Sequence, residues 1–339
     1  MSVRSVPASG FSVSDIARRI LARPSSGVIA LLILVSVVMT FESSAFLTVS
    51  NWQNIMNQMV YVTILAIGMT IVLIVGGIDL SVGSVLGLSA GIMATLVNDY
   101  VVFIQAFILT LLAGAAIGLI NGLMITKLGL PDFVATLATL GIGSGLLFLW
   151  TGGVPFIGYM YSTYNIVGGE TKLIGQITFP VVAALVVALL ASMVLRFTAF
   201  GRHCYAIGSN RNAARLSGVN VDRIKIGAYV VSGTLAALTG ILLAGQTTTV
   251  APTTGAGYEI QAIAAAVIGG AALSGGRGRV FGAVLGALTL TIASNIINLL
   301  GINATWQDVI VGGILLLAVV LDRGSRALSR RVSRWAVAT

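Results

Sequence analysis

The sequence predicts an all-α polytopic transmembrane bundle of about ten spans with both termini cytoplasmic, and three observations carry that prediction. Of 339 residues, 57% are hydrophobic and only 9% are charged, and the mean hydropathy is +1.02. A soluble domain carries roughly a quarter charged residues, so this composition belongs to a chain solvated by lipid. Apolar stretches long enough to cross a ~30 Å hydrocarbon layer as helices recur along the whole chain. The cationic side chains, finally, fall almost entirely on alternate connections.

The clear spans are 26–41, 55–75, 101–126, 132–151, 178–197, 226–246, 280–300 and 305–321, and shorter Gly-rich stretches at 80–97 and 258–273 complete the set. With both ends inside, every Lys and Arg except Lys172 lies on an inner segment. The inverted arrangement would place all the others outside, against the bias that sets membrane topology. The net charge of +9 therefore records orientation, and no nucleic-acid partner is needed to explain it. Residues 1–25 read as a cytoplasmic tail with a short amphipathic stretch at 13–22, residues 26–322 as the transmembrane domain, and 323–339 as a basic cytoplasmic tail. Arg4, Arg18, Arg19 and Arg23 precede the first apolar run and no small-residue cleavage site follows it, so a secretory signal is not expected. The single Cys204, beside the single His203, offers neither a disulfide nor a metal ligand set.

Two connections are long. The outer one, 152–177, is rich in Gly and Tyr and is expected to pack over the outer mouth near 247–258. The inner one, 198–225, is polar and basic, and within it Asn210 to Gly218 reads as a short helix with glycine as its stop. Gly83 and Gly87, Gly114 and Gly118, Gly141 and Gly145, and Gly282 and Gly286 are spaced four apart, which lets helices approach closely in lipid.

The stretch "VGGIDLSVGSVLGLSA" at 75–90 places one carboxylate, Asp79, inside greasy sequence. A charge there costs at least ~2.5 kcal/mol on insertion scales, so Asp79 must be capped or enclosed. "GGIDLS" fits a break between two spans, with Gly76 and Gly77 turning the backbone and Asp79 or Ser81 capping the following helix; a gate or hinge is the functional reading. "GGAALSGGRGRVFGAVLG" at 269–286 echoes it weakly, and Gly275 and Gly276 occupy the corresponding break. Candidates for a solute pathway are uncharged donors and acceptors within the spans: Asn54, Gln58 and Tyr61 on one helical face, Gln246, and Asn295 with Asn298. Interhelical hydrogen bonding is the alternative role for each. No GxxxxGK[ST] occurs, so the chain is not expected to bind nucleotide itself, and no catalytic residue is expected.

"GGIDLSVGSVLGLSA", "SNRNAARLSGVNVDRIK" and "AAAVIGGAALSGGRGRVFGAVLGAL" resemble, in order, the signature stretches of ribose-type permease subunits of bacterial ABC importers, over roughly 50–320. The resemblance implies a multi-pass subunit in the bacterial cytoplasmic (inner) membrane that translocates a sugar or related polyol. It implies three partners: a cytoplasmic ATPase, often a tandem two-domain chain, which binds ATP and Mg; an extracytoplasmic sugar-binding protein; and a second permease copy, identical or paralogous. It also makes 198–225 the coupling segment. Asn210, Arg211, Asn212, Ala213, Ala214, Arg215 and Gly218 match the family's coupling motif, with Asn212 where an acidic residue is usual. Ala213 and Ala214 would pack closely against the ATPase and the arginines would add polar contacts. An ion-coupled secondary transporter and a non-transporting membrane scaffold are the rival classes, and a branched-chain amino acid permease is the rival within the class, although "GGIDLS" leans to the sugar branch.

Overall fold

The structure is a computed structural model that describes residues 26–99, 101–157, 167–168, 172–174, 177–303, 305–307, 309–316 and 320. The two tails, the amphipathic stretch at 13–22 and most of the tyrosine-rich outer segment lie outside the described residues.

The described chain is mostly helical. In order it forms α1 (Ser26–Glu42), α2 (Val49–Ile74), α3 (Val82–Asn98), α4 (Phe103–Thr126), α5 (Asp132–Thr151), α6 (Phe179–Phe197), α7 (Ala199–Ser209), α8 (Arg211–Leu216), α9 (Val221–Thr247), α10 (Tyr258–Ile268) and α11 (Val280–Leu299). Among the described residues, helices α2, α4, α5, α6, α9 and α11 are long and apolar enough to cross a membrane, six where about ten were expected of the whole chain. The difference lies mainly in α3 and α10, of 17 and 11 residues. Both are apolar, but each adjoins a non-helical break, so at 1.5 Å per residue the helix alone is shorter than the hydrocarbon layer and the break makes up the rest of the path. The last expected span, 305–321, is described only in part, and its described residues are largely helical.

Helix α2 is the centre of the bundle, with 83% of its apolar window buried, and α9 follows with 61%. Helices α4, α5 and α6 lie at the periphery, each with 22% buried. Their outward side chains, such as Ile108, Leu112, Leu137 and Leu189, are large and apolar and exposed in the isolated chain. In lipid this costs nothing, because acyl chains are as apolar as leucine.

Three of the four glycine pairs are true contact faces. A side chain on Gly114 or Gly118 of α4 would run into the backbone of Gly233 or Tyr229 of α9. Gly83 and Gly87 of α3 face the carbonyls of Gly255 and Thr254, and Gly282 and Gly286 of α11 face Gly269 and Ala265. Gly141 and Gly145 of α5 meet nothing within 4 Å. Close backbone approach multiplies small dispersion contacts, which must replace the hydrophobic drive that lipid removes.

Short strands interrupt the helical pattern at the end where α9 finishes. Strand β1 (Phe156–Ile157) pairs antiparallel with β4 (Thr249–Val250), joining the segment after α5 to the one after α9. Strands β2 (Lys172–Ile174) and β3 (Ile177–Thr178) form a second antiparallel pair. At the opposite end, Lys225 of α9 meets Asp132 of α5 at 2.7 Å, and Lys127 meets Asp222 at 3.6 Å. These two pairs tie the first turns of α9 to the α4–α5 connection.

Candidate functional site

Two breaks and one helix end meet in a single glycine junction. The first break, 75–81, turns at Gly76 with φ +82°. The second, 269–279, turns at Gly270, Gly275 and Gly276, with φ between +74° and +91°. These left-handed conformations penalise any residue with a β-carbon. The amide of Gly276 donates to the carbonyl of Ile74 at 2.9 Å, so the second break is bonded to the end of α2. Gly208, near the end of α7, sits on the same spot: a β-carbon there would collide with the Ile74 carbonyl and the Gly276 nitrogen. Gly77 lies directly under the Tyr229 hydroxyl, 2.6 Å from where its β-carbon would be. The predicted hinge residues Gly76, Gly77, Gly275 and Gly276 are thus brought together, and Gly208 is a member that the sequence did not single out.

Asp79 is enclosed, with 1% of its surface exposed. One carboxylate oxygen accepts from the Ser81 amide at 3.0 Å and the Ser81 hydroxyl at 2.6 Å; the other accepts from the Ser232 hydroxyl at 2.7 Å. Asn121 then donates to the Ser81 hydroxyl at 2.9 Å and accepts from Thr139. The expected helix cap is corrected here. Ser81 stands at the N-cap position of α3 but its side chain makes no capping bond, because that hydroxyl is turned to Asp79 and Asn121. Asp79 instead bonds the Ser81 backbone and links the first break to α9. Ser232 lies about three turns inside α9, so the carboxylate is deep in the bundle and its cost is offset by three donors.

The inner connection forms two helices. Asn210 ends α7 and caps α8, its side-chain oxygen accepting from the Ala213 amide at 3.0 Å. Gly218, at φ +83°, closes the turn after α8. Arg211, Asn212, Ala213 and Arg215 are exposed. Ala214 is not available to a partner as expected: it is 5% exposed and packs within its own chain. Leu216, 89% exposed, is the apolar group that α8 presents instead. It went unnoticed because leucine is unremarkable in a sequence this apolar. A cavity of about 220 Å³ lies between α7, α8, Lys225 and Gly76. Cys204 is buried in α7, and burial pushes its thiol up to about 12.

At the other end, a cavity of about 280 Å³ opens between α2, α9, α10 and α11. Of the predicted pathway residues, Gln58, Tyr61, Gln246 and Asn298 line it, and the Tyr61 hydroxyl donates to Gln246. Two are corrected. Asn54 is exposed and does not line the cavity. Asn295 turns to Asn51, the two amides bonding reciprocally at 2.7 and 3.1 Å. Tyr258, Gln261, Thr291, Ser294 and Gln307 complete the polar wall. They sit at helix ends or beside apolar neighbours, where a single-helix polar face gives no signal.

The chain matches the family model described as "Branched-chain amino acid transport system / permease component" over residues 51–319. It belongs to that permease family. It is 40% identical over 296 residues to the ribose import permease protein RbsC of Escherichia coli (strain K12), covering 87% of this chain and 92% of the relative. It is 39% identical over 304 residues to RbsC of Bacillus subtilis (strain 168), covering 90% and 93%. It is 38% identical over 296 residues to the autoinducer 2 import system permease protein LsrC of Salmonella typhi, covering 86% and 83%. No solved structure matches. The permease is a multi-pass protein of the bacterial cytoplasmic membrane: its spans are helices, whereas bacterial outer-membrane spans are closed barrels.

Proposed function

We propose that this permease is the membrane subunit of an ATP-driven importer that carries a sugar or related polyol delivered by an extracytoplasmic binding protein. A separate cytoplasmic ATPase, a tandem two-domain chain in this reading, binds ATP and Mg, and two permease copies surround the pathway. The similarity to ribose and autoinducer 2 import permeases along most of the chain supports the solute class. The junction at Gly208 is the observation that carries the mechanism. A displacement of α8 is passed through α7 to both breaks, because Gly208, Ile74 and Gly276 share one contact. Coupling runs through Asn210, Arg211, Asn212, Arg215 and Leu216 at the surface, while Ala214 holds α8 to its own chain and Gly218 ends it.

Ten spans with cytoplasmic termini remain our topology, with α1, α3, α10 and the segment at 305–321 added to the six long helices. The placement of every Lys and Arg but Lys172 on the inner side supports it. Proton coupling fits less well, because Asp79 is held by three donors and enclosed.

The test is reconstitution. Permease alone in vesicles should not concentrate D-ribose or a related sugar. Permease with the cognate ATPase, ATP and loaded binding protein should concentrate it. Accumulation driven by an ion gradient without ATP would overturn the proposal.

A further inference from the structure

Lys225, Tyr229 and Ser232 follow one another at steps of four and three along α9, so they form one polar stripe on a largely apolar helix. Each reaches a different group. Lys225 holds one oxygen of Asp132, at the start of α5, at 2.7 Å. Tyr229 donates to the Ile78 carbonyl at 3.1 Å, and Ser232 donates to the Asp79 carboxylate. Enclosing a charge accounts for Ser232, but Tyr229 serves a neutral carbonyl. A carbonyl in a non-helical segment at membrane depth does need a donor. Thr136 of α5 already supplies one, at a longer 3.4 Å. The fully buried tyrosine adds a second donor from a different helix.

The two glycines beside that carbonyl stand in opposite surroundings. A β-carbon on Gly77 would lie 2.6 Å from the Tyr229 hydroxyl and 2.8 Å from the second Asp132 oxygen, whereas one on Gly76 would meet nothing within 4 Å. Gly77 is buried, while Gly76 is exposed and borders the cavity of about 220 Å³ beside α7. The first break therefore divides between these two residues. On one side, Ile74 is bonded to Gly276 and lies against Gly208. On the other, Ile78 and Asp79 are bonded to α9. Rotation at Gly76 has open space to move into and breaks none of the bonds to α9, which is what a hinge requires.

We infer that Tyr229 is a positioning residue for transport: its hydroxyl keeps residues 77–81 on α9, so that a push arriving at Ile74 is taken up as rotation at Gly76. The inference rests on the import reading and adds the residue that fixes where the break bends. Without the hydroxyl the tie to α9 slackens, and part of each push drags the whole break instead. ATP is then hydrolysed with less solute moved.

Tyr229→Phe deletes the hydroxyl and keeps the ring. In the complete importer, the probe is whichever of D-ribose, D-xylose and D-galactose the wild-type complex moves fastest. Sugar moved per ATP hydrolysed should fall about five- to tenfold, the effect of one lost hydrogen bond. A residue that merely satisfies a carbonyl or fills space would lower uptake and hydrolysis together, so the ratio is the quantity to read. Thr136→Val withdraws the longer bond from the same carbonyl with little change in volume, and should lower the ratio about twofold. It decides the matter should Tyr229→Phe fail to assemble. An unchanged ratio in Tyr229→Phe, or in Thr136→Val where it stands in, would overturn the inference, as would uptake and hydrolysis lost in proportion. Failure of the import reading looks different: the wild-type complex would then move no sugar with ATP.

Discussion

The backbone amide of Gly276 donates to the carbonyl of Ile74 at 2.9 Å, so the break between α10 and α11 is fastened to the end of α2. Helix α7 touches this bond through Gly208, whose missing side chain makes the contact geometrically open. The two breaks that echo each other in sequence are therefore physical neighbours, and the inner helices lie against both.

Gly208→Ala tests that contact directly. The added methyl meets backbone atoms that no rotamer change can move, unlike a collision with a flexible side chain. We expect uptake to fall at least tenfold while ATP hydrolysis persists in the assembled complex, because the obstruction separates α7 from the breaks. Equal loss of hydrolysis and uptake would place the effect on folding or assembly instead, and equal retention would remove Gly208 from the route.

Leu216→Ser should weaken association with the ATPase and leave the permease itself as stable as before, since the side chain is 89% exposed. Copurification of the ATPase and thermal unfolding in detergent measure the two effects separately. Ala214→Trp should do the reverse in part: the site is 5% exposed, and overpacking there costs about 1–3 kcal/mol in the permease before any partner is bound.

The Asn51–Asn295 pair joins α2 to α11, and its members should be coupled energetically. Asn295→Ala leaves the Asn51 oxygen without its buried donor, although the Asn51 amide keeps its bond to the Phe46 carbonyl at 3.0 Å. We expect a loss of about 1–3 kcal/mol, and a smaller total in the Asn51→Leu, Asn295→Leu double variant than the two single leucine variants sum to. Thermal unfolding of the three variants decides; strict additivity would contradict the pairing.

Cys204 should resist alkylation in the native protein at pH 7 to 9 and react fully after denaturation. Burial raises its pKa from the ordinary 9.0 to about 12, so thiolate is scarce throughout that range. Folding here favours the protonated thiol, so its contribution to stability is intact below pH 9 and fades as pH climbs toward about 12. Rapid native labelling at pH 8 would show that α7 opens readily.

Much of this was legible in the sequence, for identifiable reasons. Asn210 and Gly218 framed α8 because a cap and a left-handed stop are local chemistry. The glycine pairs at 83/87, 114/118 and 282/286 signalled close contact, while 141/145 carried the same spacing with nothing opposite, since spacing cannot name a neighbour. The same limit explains Asn54 and Asn295. A helical wheel shows which residues share a face, but the rotation of that face toward a cavity or toward another helix is set by packing. Ala214 was expected on the outside, and Leu216 was passed over, for the same reason. Hydropathy could not separate a full crossing from the short α3 and α10, because the apolar window extends through the break beside each.

Helices α4 and α9 meet through Gly114, Gly118, Gly122 and Gly233, where a β-carbon on any of the four would collide with the facing helix. Such a pair cannot roll or slide without steric collision, so it behaves as one stiff beam rather than two rods. Lys225, near one end of the beam, grips Asp132 of α5, and Ser232, further along, grips Asp79. Any shift in access from one side of the membrane to the other must then pivot around this girder, with bending left to the short helices and their glycine joints.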